Sequence, residues 1–196
     1  SAAQAACSSA WILEVDADER VSPELAAEVK NLMARYTTET AVPDYHHIPF
    51  DNYIGGRLVR YGWGAQFGVG AKVVLYRRGI KSWGDQRVHP KVKYAGTKGA
   101  PLSNRMIHHV DRNVEDMLAR LDRYSTLHAQ DMLDDGSNPG TYRKNVLRIF
   151  GRFYKCYVLR KGYREGAYGL LIAICAGLYP LLSYMKLQEL KAAKTH

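Results

Sequence analysis

A chain of 196 residues that is 46% hydrophobic and 24% charged is a globular fold of one domain, or of one domain and an appendage, and not a disordered segment. Its three cysteines, Cys7, Cys156 and Cys175, are odd in number and form no CxxC pair, which fits a reducing compartment better than a disulfide framework. The net charge of +9 sits at one end: residues 1–140 carry 17 basic and 17 acidic side chains, whereas residues 141–196 carry 11 basic ones against Glu165 and Glu189. A neutral body with a basic tail beside an apolar stretch points to an anionic membrane face and away from nucleic acid.

Residues 1–10 are small and polar, with no Met, no basic n-region and no apolar h-region, so they do not read as a signal peptide. They run straight into a strand pattern, as a fragment beginning inside a domain would. Trp11-Ile12-Leu13-Glu14-Val15 reads as a short buried strand, and the acids Asp16, Asp18 and Glu19 follow at once. Ser22-Pro23 supplies an N-cap and a first-turn proline. Leu25, Val29, Leu32, Met33 and Tyr36 then recur at helical spacing, which predicts an amphipathic helix over 23–36. Strand, acidic turn and helix open an α/β unit and place the acids at a strand's carboxyl end, where α/β sheets keep their ligands.

Residues 41–66, rich in Pro, Gly and aromatics, read as a long structured loop or hairpin over an active site. Val69 to Tyr76 is strand-like, and Arg87 to Tyr94 alternates as an edge strand interrupted by Pro90. A helix is predicted over 113–133, capped by Asn113, with Glu115 and Asp116 in its first turn. Residues 134–140 form a linker, and two helical segments follow over about 141–161 and 166–191.

Two Asp one residue apart at a strand end can aim both carboxylates at one hard divalent ion, Mg²⁺ or Mn²⁺, held against a diphosphate. By itself an Asp-x-Asp is a weak signal, because a solvated acidic turn has the same letters. Its setting here is more specific. The run from Trp11 to Leu25 resembles the central motif of glycosyltransferase family 2, in the branch resembling lipopolysaccharide inner-core glucosyltransferases. The resemblance continues through Tyr76-Arg77-Arg78-Gly79, Arg87 to Val92, Ile107-His108-His109, Arg120 to Ser125, Phe153-Tyr154-Lys155 and Gly162 to Gly166. It implies a GT-A fold (here a partial one, lacking the N-terminal nucleotide-binding half), inverting sugar transfer and a divalent metal. It also implies that Asp16 and Asp18 bind the metal and the ribose–diphosphate of a nucleotide sugar, UDP- or ADP-linked. With the half that holds the base missing, this chain alone is expected to bind nucleotide sugar weakly or not at all.

An inverting transfer needs a general base. Relatives often carry Glu after the His of the Val-His segment, where this chain has Pro90, so the base passes to Asp85 first and His89 second. A turn-forming Asp and a packed strand His are the structural alternatives. Where relatives tend to have Arg, this chain has Val74, and any phosphate contact from that position is lost. His108 or His109 is a further metal or diphosphate contact, with His108 taken as the ligand. Arg120 and Arg123 could face the leaving diphosphate or an anionic acceptor, against a solvated helix face as the alternative. Adjacent strand residues point to opposite faces, so neither His46/His47 nor His108/His109 is expected to give both rings to one ion. Trp63 and Trp83 read as core first and sugar platforms second.

In the tail, Lys144, Arg148, Arg152 and Lys155 share one helical face, and Val146, Ile149, Phe150, Phe153, Tyr157 and Val158 supply an apolar side, the pattern of an interfacial helix. Gly166 to Met185 then runs 20 residues without a charge, long enough to span a bilayer, but it contains Pro180, three Gly and three Tyr. A monotopic or re-entrant hairpin therefore fits better than a span, with a buried helix pair as the remaining alternative.

The sequence as a whole predicts a GT-A portion over 1–135 and a membrane-associating appendage over 141–196. The expected activity is transfer from a nucleotide sugar to a lipid-linked glycan of lipopolysaccharide or another envelope polysaccharide, at the cytoplasmic face of the inner membrane. The alternatives are a polyprenyl-phosphate sugar synthase and a non-catalytic membrane-bound interaction protein; homo-oligomerisation is left open.

Overall fold

The computed structural model describes residues 4, 6–64, 68–83 and 92–194, with Trp83 described through its backbone only. In chain order the elements are β1 (Trp11–Leu13), β2 (Glu19–Val21), α1 (Pro23–Tyr36), β3 (Tyr45–Ile54), β4 (Arg57–Val59), β5 (Ala71–Arg77), β6 (Lys81–Trp83), β7 (Val92–Tyr94), β8 (Met106–Asp111), α2 (Val114–Asp134), α3 (Tyr142–Tyr154) and α4 (Ala167–Ala193). Among the described residues they form two compact units: 4, 6–53, 70–83 and 92–109 make the first, and 54–64, 68–69 and 110–194 the second.

The first unit is a sheet in the order β1-β5-β3-β8-β2, with a separate β6–β7 pair. The pairs β1–β5, β3–β5, β2–β8 and β6–β7 are antiparallel. The α/β expectation holds, but the ladders that flank the acidic turn are antiparallel. Helix α1 has the predicted bounds because Ser22 Oγ accepts the Leu25 N–H and Pro23 takes the first turn, where its missing N–H costs nothing. Its Leu25 and Leu32 are buried.

The predicted loop or hairpin over 41–66 is a ten-residue strand, β3, that turns at Gly55–Gly56 into β4. Gly55 has φ +59°, the left-handed region that glycine occupies without penalty. Alternate residues His46, Ile48, Phe50, Asn52 and Ile54 are buried. Two of the five are polar, which hides the period of two. Pro49 sits opposite Ala71, the first residue of β5, so its missing donor falls where that ladder ends. The register shifts between His46 and His47, which pair with Leu75 and Val73 and leave Val74 as the extra residue of a bulge. His46 and His47 face opposite sides, as expected of strand neighbours. His46 is buried against Tyr36 Oη and the Ala100 carbonyl, both at 2.7 Å.

In the second unit, α2 begins one residue after Asn113, whose side chain accepts the Asp116 N–H. The loop near 135–140 joins α2 to α3 inside this unit. Beyond α3 the chain makes a π turn over Lys155–Leu159 and a 3₁₀ turn over Gly162–Glu165. The core gathers Ile54, Val59, Trp63, Met117, Leu121, Cys156, Ile172 and Tyr179. Trp63 is a core residue, its indole N–H donating to the Val59 carbonyl.

The re-entrant hairpin expected over 166–185 is a single continuous helix, α4, with Pro180 inside it. Pro180 removes one helical hydrogen bond, a cost of about 3 kcal/mol that close packing outweighs. A Cβ on Gly169 would fall 1.8 Å from the Gly162 carbonyl oxygen, and one on Gly177 would lie 3.0 Å from that of Ile149.

Candidate metal site in an acidic turn

The acidic turn lies between β1 and β2, and Ser22 starts α1 immediately after β2. Two reciprocal hydrogen bonds close it: Asp16 N–H donates to Glu19 Oε2 at 3.0 Å, and Glu19 N–H donates to the Asp16 carbonyl at 3.0 Å. His109 N–H donates to the Asp18 carbonyl at 2.8 Å and ties the turn to β8. These bonds leave the Asp16 and Asp18 carboxylates exposed and bury that of Glu19.

Glu19 stands directly opposite His108 in the β2–β8 ladder, which brings the two side chains to one face. His108 Nδ1 lies 2.8 Å from Asn52 Oδ1, and Nε2 lies 3.5 Å from Asp18 Oδ2. With Asn52 Oδ1 accepting, Nδ1 carries the proton and Nε2 keeps its lone pair toward the turn. Burial holds the His108 pKa below its ordinary value despite the nearby Asp18 charge, which favours the neutral, ligating imidazole. His109 points to the other face, beside Tyr53.

Asp18, Glu19 and His108 each offer one ligand atom, and these atoms lie within 4.8 Å of one another. Ligands about 2.1 Å from an octahedral Mg²⁺ stand roughly 3–4 Å apart. Small side-chain adjustments would bring the three to that spacing, and two carboxylates with one imidazole suit a divalent ion of the Mn²⁺ or Mg²⁺ type. Lys72 on β5 is part of the same cluster. Its ammonium lies 2.7 Å from Glu19 Oε1 and 3.3 Å from Asp16 Oδ2, and 5.1 Å above the Phe50 ring. Burial pulls the Lys72 pKa down, but the Glu19 hydrogen bond and charge, with that of Asp16, outweigh it and leave it raised. Lys72 and a metal thus compete for Glu19, while Asp18 and His108 face no such rival. Three carboxylates against one ammonium leave a surplus of negative charge for a cation.

The turn borders a cleft of about 330 Å³ lined by Glu14, Asp16, His47, Lys72, Lys81 and Tyr94. Lys81 pairs with Glu14, which also accepts the Tyr76 hydroxyl at 3.0 Å. The pKa of His47 is held low by burial and by the Lys98 charge, and its Nδ1 has no hydrogen-bond partner among the described residues.

The structure therefore gathers Asp18 and His108 with Asp16 close by. Glu19, Lys72 and Asn52 complete the cluster. Glu19 lay inside the acidic run without an assigned role. Lys72 and Asn52 had no sequence signal, since only the pairing of β3, β5 and β8 brings them to the turn. Asp85 and His89 lie outside the described residues. Arg120 and Arg123 belong to the second unit. There Arg120 donates to Asp111 Oδ2 at 2.6 Å, with both side chains buried, and Arg123 stacks over Tyr124. Burial pushes the Asp111 carboxyl up to about 6, although the Arg120 charge opposes the shift.

The chain is similar to the lipopolysaccharide core biosynthesis glycosyltransferase LpsC of Rhizobium meliloti (strain 1021), at 24% identity across 96% of this chain and 67% of that protein. No protein family model and no solved structure matches it.

Proposed function

We propose that this protein is a metal-dependent, inverting glycosyltransferase that moves a sugar from a nucleotide-sugar donor to a lipid-linked glycan at the cytoplasmic face of the inner membrane. Similarity to a named transferase runs along 96% of the chain. The observation that carries the reading is that the acidic turn inside that region brings Asp18, Glu19 and His108 to one point. A carboxylate–imidazole set beside a cleft that Asp16, Lys72 and Lys81 line can hold a divalent ion that stabilises a diphosphate leaving group.

A divalent ion, Mg²⁺ or Mn²⁺, supplies Lewis-acid stabilisation of the leaving diphosphate when bound. Asp18 and His108 hold it, with Glu19 shared between the ion and Lys72. Asn52 fixes the His108 tautomer. Asp16 contacts the ribose or the ion, and Lys72 keeps a positive charge beside the anionic donor. Asp85 is the first assignment for the base and His89 the second. Arg120 and Arg123 are assigned to the diphosphate or an anionic acceptor; for Arg120 that contact has to be made beside its bond to Asp111. In this reading the first unit belongs to a GT-A fold.

The test pairs a binding and an activity readout. Mn²⁺ binding is followed by electron paramagnetic resonance, and transfer is assayed from UDP- and ADP-sugars to a lipid-linked glycan. Asp18→Ala should lose both while its thermal melt is unchanged; unchanged turnover would sink the metal role. Sugar on a lipid phosphate instead of a glycan hydroxyl would assign a polyprenyl-phosphate sugar synthase, and sugar on neither a non-catalytic protein.

A further inference from the structure

Two helices of the second unit divide the tail's membrane signals between them. Helix α4 is long and apolar enough to cross a bilayer, with a mean hydropathy of 1.7, but half of that window is buried inside the protein. Ile172, Ala173, Cys175, Ala176 and Tyr179 belong to the core, and Gly177 packs on the α3 backbone at Ile149. Moving α4 into lipid would strip the unit of its centre. Helix α3 has the opposite character. Its inward side is Asn145 and the half-buried Ile149, Arg152 and Phe153, with Arg152 over the Tyr179 ring. Arg152 thus leaves the basic face on which the sequence placed it.

The outward side of α3 is apolar. Leu147 is 69% exposed, Phe150 67% and Tyr154 54%, and the stripe continues through Val158 and Leu159. The spacing of three and four residues from Leu147 to Tyr154 puts these on one side of α3, and Val158 and Leu159 follow in the π turn. Tyr142 at the start of α3 and Tyr163 in the 3₁₀ turn are also exposed, amphipathic rings of the kind found at a water–lipid boundary. Residues 141–164 hold eight basic side chains and no acidic one. Among the described residues, Arg143, Lys144, Lys155 and Lys161 are exposed and make no ion pair.

We infer that the outward stripe of α3 and its π turn seats the protein flat in the headgroup layer of an anionic bilayer, with α4 remaining inside the protein as core. Apolar side chains flanked by unpaired cations match lipid tails beneath anionic headgroups. A second copy of the chain does not match, because two such faces would oppose their cations. The inference rests on the membrane seating in the proposed function and is independent of the reaction.

Co-sedimentation of the full chain with vesicles tests it. One set is phosphatidylcholine alone and the other adds phosphatidylglycerol. The expected result is binding to anionic vesicles at least about ten-fold tighter than to neutral ones, weakened by salt and released by alkaline carbonate. Leu147→Glu with Phe150→Glu should lower it about ten-fold or more without moving the melting temperature. Lys144→Gln with Lys155→Gln and Lys161→Gln should remove the preference for anionic lipid. Unchanged binding in the Glu pair, or equal binding to both vesicle types, overturns the inference. Resistance to carbonate would make α4 a span and also overturn it. A dimer in light scattering that the Glu pair dissociates, with no vesicle binding, would give the face to a second copy instead. Metal binding at Asp18 is read separately, so the two proposals fail independently.

Discussion

The protein contains two clusters in which acids meet a cation, one in each unit, and they are built on opposite plans. Asp111 and Arg120 are a closed pair, one acid to one guanidinium, both buried and 2.6 Å apart. The acidic turn is open: Lys72 meets Asp16 and Glu19, Asp18 lies beside His108, and the Asp16 and Asp18 carboxylates face solvent. In the buried pair the acid is already matched by a guanidinium, so it carries no surplus of negative charge. The acidic turn keeps the exposed Asp16 and Asp18 carboxylates and His108 Nε2 open to a ligand, and the proposed metal site rests on that openness.

Breaking each cluster should have a different consequence. Asp111→Ala strands a buried guanidinium and should cost about 3–5 kcal/mol in urea unfolding, with Mn²⁺ affinity unchanged in the fraction that folds. Asp18→Ala should do the reverse: transfer falls at least about a hundred-fold, close to 3 kcal/mol of barrier, while stability moves by less than about 0.5 kcal/mol. Asn52→Ala leaves every ligand in place and frees the His108 tautomer, so Mn²⁺ affinity should drop about 10–100-fold.

Acid should also separate the two clusters. The folded-state pKa of Asp111 is raised to about 6 from an ordinary 3.8, so the folded form binds this proton more readily than the unfolded one. Its contribution opposes folding above pH 6 and is relieved as pH falls from about 6 toward 4. A carbon-13 titration of the Asp111 carboxyl should therefore show a midpoint near 6. His108 is shifted the other way, below its ordinary 6.5. Mn²⁺ affinity should hold at pH 6.5 and decline only below the ordinary imidazole midpoint, as isothermal calorimetry across that range would show.

Much of this was legible in the sequence because single residues punctuate the chain. Ser22-Pro23 fixed the start of α1 and Asn113 that of α2, since each offers a side-chain acceptor to orphaned helix N–H groups. The acidic run could be read as a ligand turn, but not which ligands would meet there. Glu19 joins His108 through the β2–β8 register, and Lys72 arrives from a strand more than fifty residues away. Strand β3 was hidden for a related reason: its inward positions include His46 and Asn52, polar side chains whose partners come from other elements. In the tail the single helix α4 was hidden for another reason: an uncharged run of 20 residues reads the same facing lipid or protein, and the packing of Gly169 and Gly177 on neighbouring backbone is not written in it.

The paired hydrogen bonds between Asp16 and Glu19, with the bond from His109 to the Asp18 carbonyl, carry a thermodynamic consequence. The turn has its shape before an ion arrives, so the entropy of ordering it is lost during folding and not during binding. Capture of a cation should then be accompanied by little change in amide exchange along residues 16–19. Discrimination among divalent ions would depend on how far the Asp18, Glu19 and His108 side chains must adjust on this preset backbone to suit each ionic radius.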